Sequence, residues 1–161
     1  MKKVIYIFII CLFSQLAFAA GGDGGSSSSM SDPYNDAKQL VKRAGKLEKK
    51  SKTDRAKKLY TQAFKKLEKA YSKDKNNPNI LNYMGYTSRK IGNFEQAEEF
   101  YLKGLSINPN HNGINEYLGE LYVQTNRIDK AKERLDVLKN CNCEEYKELE
   151  LIIKTRGTKI Y

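Results

Sequence analysis

The sequence predicts an all-α protein built as an array of paired helices, and three observations indicate this fold. The sequence repeats itself every 34 residues, so that the run Tyr83-Met84-Gly85 recurs as Tyr117-Leu118-Gly119. Apolar residues recur three and four positions apart, which is the spacing of a helix with one buried face. Helix start and stop signals such as Asn77-Pro78 and Ile91-Gly92-Asn93 separate these stretches. A period of this length is typical of stacked helix pairs.

The first segment has the pattern of a signal peptide followed by a leader. Lys2 and Lys3 follow Met1, residues 4–18 are almost wholly apolar, and Ala17-Phe18-Ala19 has the small-x-small pattern of a signal peptidase site. We expect cleavage between Ala19 and Ala20 and export, to the periplasm of a Gram-negative bacterium. An uncleaved anchor is disfavoured because the apolar run is shorter than the roughly 20 residues of a membrane span. Residues 20–32 are rich in Gly and Ser and predict a flexible leader.

The first helix pair departs from the later ones. Residues 36–50 carry apolar side chains at helical spacing, and a Lys-rich stretch then precedes a longer apolar pattern over 54–73. We expect two helices here, the second one long, with an insertion relative to the repeat. A single helix bent at Lys52 is the alternative.

The remaining elements follow from the repeat. Asn77-Pro78 supplies an N-cap and a first-turn proline, and Asn108-Pro109 ends the partner helix. The helices are expected at about 79–91, 94–107, 113–124 and 127–139. An amphipathic cap at 144–154 covers the last apolar face. The folded part spans 33–154, with repeats at about 44–77, 78–111 and 112–143, and residues 155–161 are expected to fray.

Two consecutive repeats carry a recurring set of residues. These are Leu81, Met84-Gly85, Ala97, Tyr101, Gly104 and Pro109 in the central repeat, and Leu118-Gly119, Tyr122, Ala131, Leu135 and Leu138 in the next one. With these residues the chain resembles the tetratricopeptide repeat (TPR) family, whose pattern they fill. Ser88 and Cys143 replace a family aromatic and the family proline, and the resemblance covers about 44–143. It implies a right-handed helix-turn-helix array of about three pairs with a C-terminal capping helix. It also implies a non-enzymatic scaffold, without a cofactor, that binds a protein or peptide.

In this family the first helix of each pair lines a concave groove. Carried onto this chain, the resemblance implies an exposed groove stripe made of Asn82, Tyr86, Arg89, Lys90, Glu116, Glu120, Val123 and Gln124. The two repeats contribute opposite charges to this stripe. Such a stripe suits an extended peptide that carries both acidic and basic residues, and mutual solvation of neighbouring helices is the alternative.

Positive charge is concentrated at one end of the array. The chain has 29 Lys plus Arg against 19 Asp plus Glu, a formal net charge of +10. The stretch 42–66 holds eleven basic residues: Lys42, Arg43, Lys46, Lys49, Lys50, Lys52, Arg55, Lys57, Lys58, Lys65 and Lys66. An alternative function is therefore docking to anionic lipid or envelope polymer. Export makes nucleic acid an unexpected partner. Self-association into a homo-oligomer through the incomplete first repeat is a further alternative.

Residues with catalytic or metal-binding chemistry are sparse. Cys141 and Cys143 are the only cysteines of the expected mature chain, and Cys-x-Cys with one distant His gives poor zinc geometry. A local disulfide, two free thiols and intermolecular pairing all stay open. His111 has no nucleophile or carboxylate placed beside it by the sequence and is expected in a surface turn. We therefore expect no enzymatic activity, no catalytic residue, no metal and no cofactor.

Overall fold

The computed structural model describes residues 32–158. The predicted signal peptide, residues 20–31 of the leader and residues 159–161 lie outside these described residues. Seven helices cover the described part: α1 Pro33–Glu48, α2 Thr53–Lys73, α3 Pro78–Ile91, α4 Phe94–Ile107, α5 Asn112–Gln124, α6 Ile128–Leu138 and α7 Glu144–Lys154. None of these helices is long and apolar enough to cross a membrane.

Local sequence signals account for the ends of the helices. The Asn77 side chain accepts hydrogen bonds from the backbone N–H groups of Asn79 and Ile80, at 3.0 and 3.4 Å, and so caps α3. Helix α3 stops at Gly92, whose φ of 99° lies in the left-handed region that glycine adopts without a steric penalty. At the start of α1, the Asp32 carboxylate accepts from the N–H of Tyr34 at 3.0 Å. The observed helices agree closely with the predicted ranges.

The first pair consists of two separate helices. Helix α1 ends at Glu48, and α2 starts at Thr53 after a turn in which Ser51 has a φ of 55°. Helix α2 has 21 residues, against 14 in α4. The prediction of a long second helix is confirmed, and the alternative of one bent helix is wrong.

The helices pack as a repeat array. Helices α1, α3 and α5 each pack against the helix that follows them, and α2 and α4 pack against the next pair. Helix α7 packs against α5 and α6 and closes the array. The predicted fold class, a right-handed helix-turn-helix repeat array with a C-terminal capping helix, is confirmed. The predicted tail begins with a hydrogen-bonded turn, in which the Gly157 N–H donates to the Ile152 carbonyl at 3.0 Å.

Glycines at the 34-residue spacing allow close helix approach. A Cβ atom at Gly85 would overlap the ring of Tyr101, which is fully buried between α3 and α4. A Cβ atom at Gly119 would lie 2.5 Å from Cδ2 of the fully buried Leu149 in α7. Both helices that carry these glycines, α3 and α5, therefore sit closer to their neighbours than any larger residue would permit.

Candidate functional site

Two cavities lie along one face of the array. The central cavity has a volume of about 160 Å³ and is lined by Gly45, Glu48, Lys49, Tyr86, Arg89, Lys90, Glu116, Tyr117, Glu120 and Glu148. The C-terminal cavity has a volume of about 150 Å³ and is lined by Arg89, Glu120, Val123, Gln124, Ile152, Arg156 and Gly157. Every one of these residues belongs to α1, α3, α5 or α7, or to the turn directly after α1 or α7. We call this face, formed by the odd-numbered helices, the inner face.

An ion pair forms the wall shared by the two cavities. Nη2 of Arg89 lies 2.6 Å from Oε2 of Glu120, and the two side chains are only 7% and 8% exposed. Burial lowers the pKa of Arg89, but Glu120, Tyr101 and Tyr86 together raise it by more, so the net pKa is raised and the guanidinium stays charged. The Tyr101 hydroxyl lies next to the guanidinium, but neither this hydroxyl nor Nε of Arg89 has a hydrogen-bond partner of good geometry within residues 32–158.

A second ion pair joins α3 to the first helix pair. Nζ of Lys90 lies 2.8 Å from Oε2 of Glu48, and the Tyr60 hydroxyl donates to the same carboxylate oxygen at 2.9 Å. The Lys90 ammonium also lies 5.7 Å from the ring centroid of Tyr60 and 5.8 Å from that of Tyr86. These contacts fix the end of α1 against the middle of the array.

Two tyrosine rings line the central cavity. The ring centroids of Tyr86 and Tyr117 are 4.9 Å apart, and the Arg89 guanidinium lies 5.6 and 5.8 Å from them. Aromatic faces attract cations at these distances. The cavity therefore combines charged groups with two ring faces.

The carboxyl groups of Glu116 and Glu148 form an acidic pair beside these rings. Glu116 is only 3% exposed. Burial raises the pKa of Glu116 to about 10, and a hydrogen bond with Glu148 and the charges of Glu120, Glu148 and Glu145 raise it in the same direction. Glu116 thus keeps its proton at neutral pH and shares it with Glu148.

The expected exposure of the groove stripe is not found for five of its members. Asn82, Arg89, Glu116, Glu120 and Val123 are buried. Arg89 and Glu120 can be buried because they neutralise each other, and α7 packs closely against α5. The alternative, in which charged groups of neighbouring helices solvate each other, fits the Arg89–Glu120 pair between α3 and α5.

The remaining members of the stripe differ in their exposure to solvent. Gln124 is exposed, and Tyr86 and Lys90 are half-buried. Asn82 lines neither cavity, and its Oδ1 has no hydrogen-bond partner within the described residues.

Sequence reasoning missed several residues that line the central cavity. Glu48 and Lys49 come from the end of α1, and Glu148 comes from the cap. The sequence held one signal for Glu148. It follows Glu116 by nearly one repeat, so the two residues occupy nearly equivalent positions on α5 and α7.

The other residues singled out by the sequence have structural positions. His111 caps α5, where its Nδ1 accepts from the Ile114 N–H at 3.2 Å. Cys141 and Cys143 are joined by a disulfide in the turn between α6 and α7. Within residues 32–158, no group of three or more His, Cys, Asp or Glu side chains is arranged to hold a metal ion.

Comparisons with known proteins agree with this fold. Residues 92–150 match the model of a family described as tetratricopeptide repeat. No match was found among curated proteins. A tetratricopeptide repeat protein from Parabacteroides merdae is 17% identical in sequence, with a TM-score of 0.54 over 76% of this chain and 60% of that one.

Two further solved structures are similar. The Yersinia enterocolitica type III secretion translocator chaperone SycD is 18% identical, with a TM-score of 0.52 over 76% of this chain and 81% of that one. The second TPR domain of human RPAP3, solved in complex with an HSP70 peptide, is 18% identical, with a TM-score of 0.47 over 76% of this chain and 98% of that one. At these identities the likeness concerns the fold alone. Residues 92–150 thus match the tetratricopeptide repeat model, and the chain has a helix-turn-helix repeat fold similar to that of these solved structures.

Proposed function

We propose that this chain is a non-enzymatic scaffold that holds a segment of a partner protein, or a peptide, along its inner face. The observation that carries this proposal is the placement of both cavities on the inner face, on either side of the Arg89–Glu120 wall. A segment that crosses this wall would fill both cavities at once. The similar Yersinia protein is named a type III secretion translocator chaperone, and this name supports a protein as the partner.

Photo-crosslinking from single positions tests this proposal. A photoreactive amino acid at the exposed positions Lys49 and Gln124 samples the two cavities, and the same group at Leu102 and Val137 samples exposed positions on α4 and α6. We expect a partner protein to be crosslinked in cells from the first two positions only. Equal crosslinking from Leu102 and Val137 would place the partner elsewhere and contradict the proposal.

We also propose that the mature protein works in the cell envelope. The support is the basic start, the apolar run and the Ala17-Phe18-Ala19 pattern. Sequencing the amino terminus of the protein recovered from the periplasmic fraction should give Ala20. Recovery of the full-length chain from the cytoplasmic fraction would contradict the proposal.

Docking to an anionic surface is the second candidate function. Ten of the eleven basic residues in 42–66 are exposed. Among those eleven, only Lys66 forms an ion pair within the described residues, at 2.9 Å from Asp36. Co-sedimentation with vesicles of anionic lipid tests this function, because binding should vanish in high salt if unpaired surface charge drives it. Equal binding to zwitterionic vesicles would contradict it.

A further inference from the structure

Most charged groups that line the central cavity neutralise one another. Arg89 pairs with Glu120 at 2.6 Å, and Lys90 pairs with Glu48 at 2.8 Å. The third basic residue of the lining, Lys49, is exposed. Two of the four carboxyl groups in the lining are thus matched by a basic residue of the same lining.

The two remaining carboxyl groups, on Glu116 and Glu148, have no basic partner. Neither forms an ion pair with a Lys or Arg within residues 32–158. Glu116 is 97% removed from solvent and meets the carboxyl group of Glu148 instead of a cation. Glu145 adds negative charge close by. Two adjacent carboxyl groups that must share a proton are stabilised by a cation placed between them.

Two further features of the same cavity also point to a ligand. Nε of Arg89 is a buried N–H donor without an acceptor in hydrogen-bond geometry within the described residues, and the Tyr101 hydroxyl next to the guanidinium does not provide one. Buried donors without an acceptor are rare in folded proteins. The second feature is the pair of ring faces of Tyr86 and Tyr117, which lie 4.9 Å apart and suit an alkyl stem that ends in a positive charge.

We propose that the central cavity binds one basic side chain, Lys or Arg, of the partner segment, with the paired carboxyl groups of Glu116 and Glu148 together as its counter-charge. The rings of Tyr86 and Tyr117 cover the alkyl stem, and Nε of Arg89 supplies a donor to a carbonyl oxygen of the same segment. The volume of about 160 Å³ suits one long side chain, since sites for whole small molecules span roughly 300–1,000 Å³. This inference rests on the proposed function, because it names the chemistry of the segment held on the inner face.

An anionic group is a poorer occupant of the cavity. Four carboxyl groups line it against three basic side chains, and two of those three already have a carboxylate partner. A phosphate or carboxylate would therefore meet Glu116 and Glu148 without a free buried cation to balance it.

Retention of peptide pools on the immobilised protein tests the inference. Both pools consist of amidated heptapeptides randomised at six positions; one has Lys and the other has norleucine fixed in the centre. Norleucine keeps an alkyl stem and lacks the charge. We expect the Lys pool to be retained at least about tenfold more strongly, because a buried charge pair discriminates against a neutral isostere by that much or more. The Glu116→Gln, Glu148→Gln double variant should lose this preference.

A matched variant separates the cavity from general surface charge. Glu144→Gln with Glu150→Gln also removes two carboxylates, but these side chains pair with Lys147 and Lys154 of α7 outside the cavity. This variant should keep the Lys preference, and thermal unfolding checks that both variants are folded. Equal loss in both variants overturns the subsite. Equal retention of both pools by the unchanged protein also overturns the subsite but leaves the scaffold function intact, whereas retention of neither pool overturns both.

Discussion

Arg89 of α3 and Glu120 of α5 form a buried ion pair between neighbouring repeats, with 2.6 Å between Nη2 and Oε2. The pair is the wall common to both cavities, so it joins the repeats and shapes the inner face at the same point. Removal of one partner would leave the other charged and shielded from water, which is costly.

Loss of one member of this pair should strongly destabilise the protein. Arg89→Ala is expected to lower the free energy of unfolding by about 3–5 kcal/mol, because Glu120 would remain buried without a counter-charge. The double variant Arg89→Met, Glu120→Leu should lose much less than the sum of the single changes. Urea unfolding measures Arg89→Ala, the double variant and its two single changes.

The control for this prediction is a surface pair. Lys147 and Glu144 are 3.3 Å apart with side chains 73% and 69% exposed. Lys147→Ala should change stability by no more than about 0.5 kcal/mol. If the Arg89→Ala protein unfolds at the same urea concentration as the unchanged protein, the buried pair does not have a stabilising role.

The sequence predicted the helices well because their signals are local. Asn77 and Gly92 mark helix ends through their own backbone and side-chain preferences. Burial of Arg89 and Glu120 depends instead on how far the helices rotate and how closely they approach, and no periodic pattern records either quantity. The closeness of α7 follows from Gly119, which the sequence identified only as part of the repeat.

Stability should fall with rising pH because of Glu116. Its pKa lies at about 10 in the folded protein against an ordinary value of 4.5, so the folded state holds a proton that the unfolded state releases. The stabilisation is complete below pH 4.5 and is lost as the pH rises towards 10, with a slope of at most about 1.4 kcal/mol per pH unit. Glu116→Gln should remove this contribution and raise stability at pH 8.

Urea unfolding at pH 5, 7 and 9 measures the slope, with Glu150→Gln as the matched control. Glu150 pairs with Lys154 at 3.0 Å on the surface of α7, so its replacement should leave the slope unchanged. The prediction fails if Glu116→Gln and the unchanged protein lose stability in parallel over this range.

Two glycine substitutions should change the stability of the protein in opposite directions. Gly119→Ala places a Cβ atom 2.5 Å from the buried Leu149 side chain and should cost about 1–3 kcal/mol through overpacking. Gly45→Ala in α1 meets nothing closer than the Tyr60 hydroxyl at 4.0 Å and should stabilise by about 0.5–1 kcal/mol through helix propensity. Thermal unfolding distinguishes them, and a more stable Gly119→Ala protein would show that α5 and α7 are not held closely together.

The cap formed by His111 should make stability sensitive to acid. Nδ1 of His111 accepts from the Ile114 N–H, and Nε2 lies 3.1 Å from Oδ1 of Asn79, to which it donates as the neutral tautomer. Burial lowers the pKa of His111 below its ordinary value of 6.5. Its stabilisation is therefore present above pH 6.5 and lost as the pH falls through the lower pKa of the folded state, where protonation removes the acceptor.

Two replacements of His111 separate its capping of α5 from its titration. His111→Ala should cost about 1 kcal/mol at pH 8, because the cap is lost. His111→Asn keeps a side-chain acceptor that does not titrate, so it should retain most of the stability at pH 8 and lose less than the unchanged protein on acidification. Urea unfolding at pH 8 and pH 5 gives both differences. A stability difference between His111→Asn and the unchanged protein that is the same at both pH values would rule out titration of the cap, because His111 is the only group that distinguishes the two proteins.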